Sequence, residues 1–266
     1  MRIHTTEIAP RYQFLYDVGR FLLLSGILLY LVSLSAGKLN YNWQWYRVTP
    51  YLYSWDAQGF QPGPLLGGLL VTLWISAVSL IISCFLGLVT ALFRLSTSFT
   101  ARWIARLYLE LIRNTPLLVQ LFFIYFVIAP VLDIGRIPAA IIALSLFEGA
   151  YASEIFRAGI LSIERGQWEA AESLGLNRGL TYRLVILPQA IKRMLPPLTS
   201  QAVSLIKDSA LVSTIAIYDL TMKAQEIISE TYLVFELWFV VAAIYLIITA
   251  TLSIFIALME KRLAIQ

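Results

Sequence analysis

The amino-acid sequence predicts an all-α, polytopic membrane protein with about six transmembrane helices. Hydrophobic residues make up 59% of the 266 residues and charged residues only 14%, whereas soluble domains average about 45–50% and about 25%. The apolar residues also lie in long uninterrupted blocks, and a helix needs ~20 such residues to cross a bilayer. These two features exclude a soluble protein with an ordinary core. The formal charge of +4 then indicates which side of the membrane each loop faces, rather than nucleic-acid binding.

Residues 1–64 form an N-terminal region, in which a cytoplasmic leader precedes the first predicted transmembrane helix. The uncharged run at 21–36 is 16 residues long, which is short for a span. A cleaved signal peptide is therefore the alternative to a retained helix, although the long leader contains Glu7 and Asp17, which favours retention. Residues 37–64 are rich in Trp and Tyr, as is typical of a segment at the membrane–water interface, here on the outer side.

Residues 65–266 contain the other five predicted spans. The first, at 65–93, is uncharged for 29 residues, which is enough to cross the bilayer with tilt. The second extends from about 107 to 129 and is expected to kink near Pro116, because Asn114-Thr115-Pro116 is typical of a helix cap followed by proline at the first helical position. The third span is predicted at 138–160 and the last at 238–259. Between them, a span is predicted from 194 to about 206, with Pro196-Pro197 at its start and a broken or re-entrant continuation to 217.

The distribution of basic residues predicts the orientation of these helices. Fifteen of the 20 Lys and Arg residues fall in the two termini and in the segments 94–113 and 157–193, and four fall in the segments on the other side. Because cytoplasmic loops are enriched in Lys and Arg, both termini and the polar segment at about 161–187 are expected in the cytoplasm. The protein is thus expected to be a multi-pass protein of the cytoplasmic membrane.

The polar segment between two apolar blocks has the pattern of two short helices joined by a turn. Residues 167–174 can form about two helical turns, after which Gly175 can accept the left-handed conformation that ends a helix. Asn177 can cap a second short helix, which is expected to end at Pro188. An ordinary amphipathic loop is the alternative to a docking element. The first helix is predicted to have a small apolar face that could dock on a partner. This face consists of Trp168, Ala171 and Leu174.

This segment resembles the EAA loop, the coupling loop of the inner-membrane permeases of ABC transporters. The matching residues are Glu169-Ala170-Ala171, then Gly175, then Val185 in place of the usual isoleucine, then Leu187-Pro188. The resemblance covers roughly 67 to 262, outside the first sixty residues. Three further segments resemble the polar amino-acid branch of that family, namely 113–117, 149–160 and 207–211.

The resemblance implies a five-helix permease core within residues 65–266, preceded here by one additional helix, with the cytoplasmic coupling loop at about 161–187. It implies a transmembrane subunit of an ATP-driven importer for polar amino acids in the cell inner membrane. The implied partners are ABC ATPase subunits, an extracytoplasmic amino-acid-binding protein, a second permease of the same or similar sequence, membrane lipid and the amino-acid substrate, but no nucleic acid. The implied ATPase-coupling residues are Glu169, Ala170, Ala171, Gly175, Leu187 and Pro188.

The chain itself lacks the sequence patterns of a catalytic or metal site. It contains no Gly-x-x-x-x-Gly-Lys-[Ser/Thr] phosphate loop and no Gly-x-Ser-x-Gly nucleophile motif. Its single histidine, His4, and its single cysteine, Cys84, cannot assemble a metal constellation. The chain is therefore expected not to be an enzyme and to hold no cofactor, with ATP bound and hydrolysed by the partner ATPase.

Charged residues within the predicted spans are candidates for the substrate pathway, because an intramembrane charge usually faces the bundle interior or water. Glu148 lies about midway along its span and suits an ammonium group, with a structural role as the alternative. Glu154 lies nearer the cytoplasm, and an ion pair with Arg157 is the alternative to substrate contact. Lys207-Asp208 are expected to form a local pair that stabilises a helix break, with substrate contact as the alternative. The candidate pathway residues are Glu148, Glu154, Asn114, Lys207 and Asp208.

An ion-coupled secondary transporter or channel for small polar solutes is the alternative function. Such transporters contain internal repeats or two corresponding broken helices, but this sequence has one clear break, at 207–208, and no convincing repeat. A structural membrane scaffold would explain neither the intramembrane charges nor the polar loop.

Overall fold

The computed structural model describes residues 10–38, 41–56 and 59–264. The chain divides into two compact units, Met1–Gln44 and Trp45–Gln266. In the first unit, α1 is one continuous helix of 29 residues, Pro10–Lys38, which includes the predicted apolar run. Its length exceeds the ~20 residues that are needed to cross a bilayer.

The second unit begins with a compact aromatic segment. A 3-10 turn at Trp45–Arg47 and helix α2 (Thr49–Leu52) lead into an antiparallel hairpin of β1 (Tyr53–Asp56) and β2 (Gly59–Pro62). This hairpin was not predicted, because its aromatic residues are equally typical of an interfacial belt. In the structure, rings of the two strands pack on each other with centroids 6.1 and 6.3 Å apart.

The centre of the fold is a pair of long helices, α3 (Pro64–Leu95) and α7 (Arg136–Leu161). Small residues let the two backbones approach closely: a Cβ atom placed on Gly87 would lie 2.7 Å from a side-chain atom of α7. In the same contact, the hydroxyl group of Ser145 donates a hydrogen bond to the carbonyl oxygen of Ser79 at 3.3 Å. This close pairing holds the charged residues of α7 in defined positions.

Between these two helices the chain bends sharply. Helix α4 (Phe99–Arg113) is followed by α5 (Leu117–Phe123), by a π-helical turn at Ile124–Ile128 and by α6 (Ala129–Leu132). The part before the break and the part after it are bent by 104°. The predicted kink near Pro116 is therefore confirmed.

The residues at this break have other roles than those predicted. Pro116 is the N-cap of α5 rather than its first helical residue, with a backbone ψ of 140°. Asn114 instead closes α4, where its side-chain amide donates to the carbonyl and carboxylate oxygens of Glu110, both at 2.8 Å. The physical reason is that the residue before a proline is disfavoured in a helix, so α4 ends before Thr115.

Helix α10 (Leu187–Asp208) departs most from the prediction. Pro196-Pro197 lie inside this helix rather than at its start, and Pro188 lies in its first turn rather than ending the preceding helix. Proline is tolerated in a first turn because that N–H group has no partner within the helix. A π-helical turn at Thr181–Ile186 carries the chain from α9 (Arg178–Leu180) into α10 without an interruption.

The predicted break after α10 is confirmed. A 3-10 turn at Ser209–Ile215 replaces the α-helix, and Ala216 follows with a φ of 57°. Asp219 caps α11 (Leu220–Thr231) by accepting a backbone hydrogen bond at 2.8 Å, and burial raises the pKa of this carboxyl group to about 6. Helix α12 (Val234–Ala264) follows.

Within the described residues, three helices are long and apolar enough to cross a membrane: α3, α7 and α12. A fourth span results if α4 and the bent segment after it count as one. The protein is therefore an all-α, multi-pass membrane protein. The total of six spans stays a prediction.

Candidate functional site

The polar loop between α7 and α10 begins with helix α8 (Arg165–Ser173). The predicted helix stop at Gly175 is confirmed, since its φ is +72°. The N–H group of Gly175 donates to the carbonyl oxygen of Glu172 at 2.9 Å, and that of Leu176 donates to Ala171 at 3.1 Å. This pair of bonds is the Schellman motif, which favours glycine because glycine has no Cβ atom.

Helix α8 packs on the π-helical turn that follows α9. Asn177 caps α9 as predicted, because its side chain accepts a hydrogen bond from the N–H group of Leu180 at 3.0 Å. The predicted apolar docking face is divided, however. Trp168 packs edge-on against Tyr182 with ring centroids 5.2 Å apart, and Ala171 is buried. These two residues hold the loop together, since the π-helical turn brings an aromatic ring over α8, and Trp168 is left half-buried.

The outer surface of α8 is what a partner can contact. Arg165 and Glu169 form an ion pair at 2.9 Å with both side chains exposed, and Leu174 is 79% exposed. The loop is therefore folded, and its outer surface presents one exposed apolar residue, Leu174, among charged residues. Of the predicted coupling residues, Glu169, Ala170, Gly175 and Pro188 are exposed, Leu187 is half-buried and Ala171 is buried.

Glu148 lies on α7 in the interior of the protein, with 0% of its surface exposed. Its Oε2 atom accepts a hydrogen bond from the side-chain amide of Gln201 on α10, and the carboxyl group of Asp208 lies against it from the end of the same helix. Its Oε1 atom has no hydrogen-bond partner among the described residues. A buried carboxylate oxygen without a donor costs free energy, so this buried carboxyl site (Glu148, Gln201 and Asp208) is suited to receive one.

The expected local pair of Lys207 and Asp208 is present only as an electrostatic attraction between the two neighbouring charges. No ion pair joins them in the part of the chain that the structure describes. Lys207 is exposed, whereas Asp208 is directed towards Glu148. Adjacent residues of a helix do not face each other, so Lys207 lies outside the buried carboxyl site.

Glu154 lies farther along α7 and is surrounded by three arginines. It pairs with Arg157, as predicted, at 3.0 Å, and also with Arg94 of α3 at 2.6 Å and with Arg113 of α4 at 3.5 Å. These side chains line a cavity of about 620 Å³ at the end of the helices where the polar loop begins. We call it the arginine cavity, and its polar lining consists of Arg94, Arg102, Arg106, Glu110, Arg113, Asn114, Tyr151, Glu154 and Arg157.

The candidate pathway residues thus lie in two sites, the buried carboxyl site and the arginine cavity, except for Lys207, which is exposed. Gln201 and Arg94 were missed because their partners lie 53 and 60 residues away in the sequence. The available signal for Gln201 was an amide side chain within a predicted span, whereas no short-range pattern pointed to Arg94. Within the described residues, no group of three or more His, Cys, Asp or Glu side chains could hold a metal ion.

Comparison with known proteins assigns this arrangement to a family. The family described as binding-protein-dependent transport system inner membrane component matches residues 83–265. The chain is 41% identical over 204 residues to the glutamine transport system permease protein of Escherichia coli (strain K12), which covers 76% of this chain and 93% of the relative. It is 42% identical over 213 residues to the L-cystine transport system permease protein of Bacillus subtilis (strain 168), which covers 79% and 91%.

Solved structures agree. The crystal structure of an amino acid ABC transporter with histidines matches with a TM-score of 0.70 and 40% identity, over 75% of this chain and 94% of that one. An inward-facing methionine ABC transporter matches with a TM-score of 0.59 over 76% of this chain and 99% of that one, and at 17% identity it shows likeness in fold alone.

The resemblance seen in the EAA loop is therefore confirmed, and the ion-coupled alternative loses its support. The relatives are permease subunits, which are transport components rather than enzymes and work with a separate ATPase and a binding protein. The chain belongs to the family of binding-protein-dependent transport system inner membrane components, as the permease subunit of an ABC importer.

Proposed function

We propose that the chain carries polar amino acids across the cytoplasmic membrane as one of two permease subunits of an importer. The observation that carries this proposal is the Oε1 atom of Glu148, which is fully buried and lacks a donor among the described residues. The ammonium group of an amino acid supplies hydrogen-bond donors and also a positive charge that compensates the carboxylate. The names of the glutamine and cystine permeases support the same substrate class.

We assign the polar loop and both termini to the cytoplasm, on the distribution of basic residues. The loop and the arginine cavity lie at one end of α3 and α7, beside Leu95 and Leu161. Helix α11 lies near the other end of α3, where the N–H group of Leu220 donates to the hydroxyl oxygen of Thr72 at 3.1 Å. The α11 end is then the side on which an extracytoplasmic binding protein delivers the substrate.

The exposed face of α8 is the docking surface for a partner ATPase, which binds and hydrolyses ATP. Closure of the ATPase pair displaces α8, and the packing of Trp168 on Tyr182 passes this displacement to the π-helical turn before α10. Because α10 is continuous through its prolines, the movement reaches Gln201 and Asp208, which contact Glu148. The loop and the buried carboxyl site are thereby connected through one helix.

Replacing Glu148 by glutamine tests this proposal. The variant keeps the size of the side chain but removes the charge, and hydrogen bonds to charged groups contribute roughly 1.5–3 kcal/mol. We therefore expect uptake at limiting substrate to fall by about 10- to 100-fold, with assembly of the complex retained. Uptake into proteoliposomes and size-exclusion chromatography of the complete transporter measure the two quantities.

The matched control is Glu260→Gln, which makes the same change at an exposed position near the end of α12. Uptake by this variant is expected to equal that of the wild type. Normal uptake kinetics in Glu148→Gln would assign Glu148 a structural role and remove the main support for an ammonium-bearing substrate.

A further inference from the structure

The arginine cavity carries more positive charge than its own carboxylates can neutralise. Five arginines and two glutamates line it, an excess of three positive charges. Glu154 is already engaged by three of the arginines, and Glu110 accepts a hydrogen bond from the neighbouring amide. Arg102 and Arg106 make neither an ion pair nor a side-chain hydrogen bond within the described residues, and both are exposed. The cavity therefore has two guanidinium groups available to an anion.

Both arginines lie on α4, which also has an exposed apolar face. At about 100° per residue, this apolar face adjoins the arginine face, and the arginine face adjoins the side of α4 that packs on the protein. A helix that combines exposed Trp, Phe and Leu with arginines on the neighbouring face is typical of one that lies in the membrane interface. The exposed apolar face repeats every four residues and consists of Phe99, Trp103, Leu107 and Leu111, which are 76%, 54%, 43% and 59% exposed.

We propose that the arginine cavity binds the phosphate group of an anionic phospholipid from the cytoplasmic leaflet, with the acyl chains against the apolar face of α4. The planar guanidinium fork matches a phosphate group with two parallel hydrogen bonds. Basic pockets between transmembrane helices on the cytoplasmic side are suited to such headgroups. The inference rests on the orientation proposed above, but not on the identity of the substrate.

The two faces of α4 together favour a lipid over a soluble anion. Free phosphate or a nucleotide would neutralise Arg102 and Arg106 but would make no contact with the adjoining apolar face. A phospholipid satisfies both faces at once, since its phosphate group and its acyl chains are covalently joined. A lipid bound there would join α3, α4 and α7 at the end from which the coupling loop emerges.

Native mass spectrometry of the complete transporter, purified with its ATPase and titrated with phosphatidylglycerol or phosphatidylcholine, tests the proposal. The wild type is expected to retain phosphatidylglycerol in preference to phosphatidylcholine. Each basic residue near a membrane surface contributes roughly a fivefold preference, so the Arg102→Gln/Arg106→Gln double variant is expected to bind phosphatidylglycerol about 30-fold more weakly. If the double variant fails to assemble, Arg106→Gln alone replaces it, with an expected loss of about fivefold.

The matched control is the Arg178→Gln/Lys261→Gln double variant, which removes two exposed positive charges outside the cavity. This variant is expected to bind phosphatidylglycerol as the wild type does. An equal loss in both double variants would show a general effect of surface charge and overturn the proposal. Unchanged binding after loss of Arg102 and Arg106, or displacement of the lipid by excess inorganic phosphate, would overturn it as well.

Discussion

Replacing Gly175 by valine tests whether the polar loop must keep its folded shape to couple the ATPase to transport. Gly175 has a φ of +72°, and no atom lies within 4 Å of the position of an added Cβ atom. The cost of the substitution therefore comes from the backbone alone. The left-handed conformation costs an L-residue about 1–2 kcal/mol, which corresponds to an about 5- to 30-fold smaller equilibrium constant for forming the Schellman-capped loop.

The assay compares ATPase activity with and without loaded binding protein, beside substrate uptake in the same proteoliposomes. The membrane helices do not depend on this turn, so Gly175→Val is expected to insert and to assemble with a second permease. We expect its stimulation by binding protein and its uptake both to fall, by at most about 30-fold, in line with the smaller equilibrium constant for the folded loop.

The chain offers a control outside the loop in Gly26→Val. Gly26 lies in α1 without a left-handed φ, and an added Cβ atom there also meets no atom within 4 Å, so this variant adds the same side chain without the backbone cost. It is expected to couple like the wild type. Gly175→Asn is expected to retain most of the coupling, because asparagine adopts the left-handed conformation more readily than other residues. Full stimulation and uptake in Gly175→Val would refute the role assigned to this turn.

Two further predictions concern the arginine cluster and the orientation. Glu154→Gln removes the carboxylate that pairs with three arginines. Because surface pairs contribute about 0.2–1 kcal/mol each, the loss of all three corresponds to roughly 0.6–3 kcal/mol, and we expect the thermal midpoint of the complex to fall by about 1–12 °C. Uptake per assembled complex is expected to stay near wild type, and lost uptake at an unchanged midpoint would instead make Glu154 a pathway residue. In a Cys84→Ser background, a membrane-impermeant maleimide is expected to label Glu230→Cys in intact cells and Arg178→Cys only after permeabilisation. Labelling of Arg178→Cys alone in intact cells would reverse the proposed orientation.

Local features of the fold could be predicted from the sequence because each depends on residues a few positions apart. The stop at Gly175 and the cap at Asn177 follow from the backbone freedom of glycine and from the reach of an asparagine side chain to the next turn. The bend near Pro116 and the end of the helix at Asp208 follow equally from short-range signals. The family resemblance rested on the same short segments.

Features that depend on distant contacts could not be predicted in this way. Helix α10 continues through Pro196-Pro197, although each proline removes a hydrogen-bond donor. The buried residues Ile186, Ala190 and Met194 pack this region into one cluster with the end of α7, and such tertiary packing overrides local propensity. The apolar face of α8 was assigned to a partner for the same reason, since nothing in the sequence shows that Tyr182 folds over it.

The central claim is that ATP, and not an ion gradient, drives amino-acid movement through this permease. The most direct measurement is uptake of a labelled polar amino acid into proteoliposomes that contain the complete transporter, with loaded binding protein on one side, ATP on the side of the coupling loop and all ion gradients collapsed. The account predicts uptake that requires both ATP and binding protein. Uptake that proceeds without ATP and follows an imposed proton or sodium gradient would contradict it.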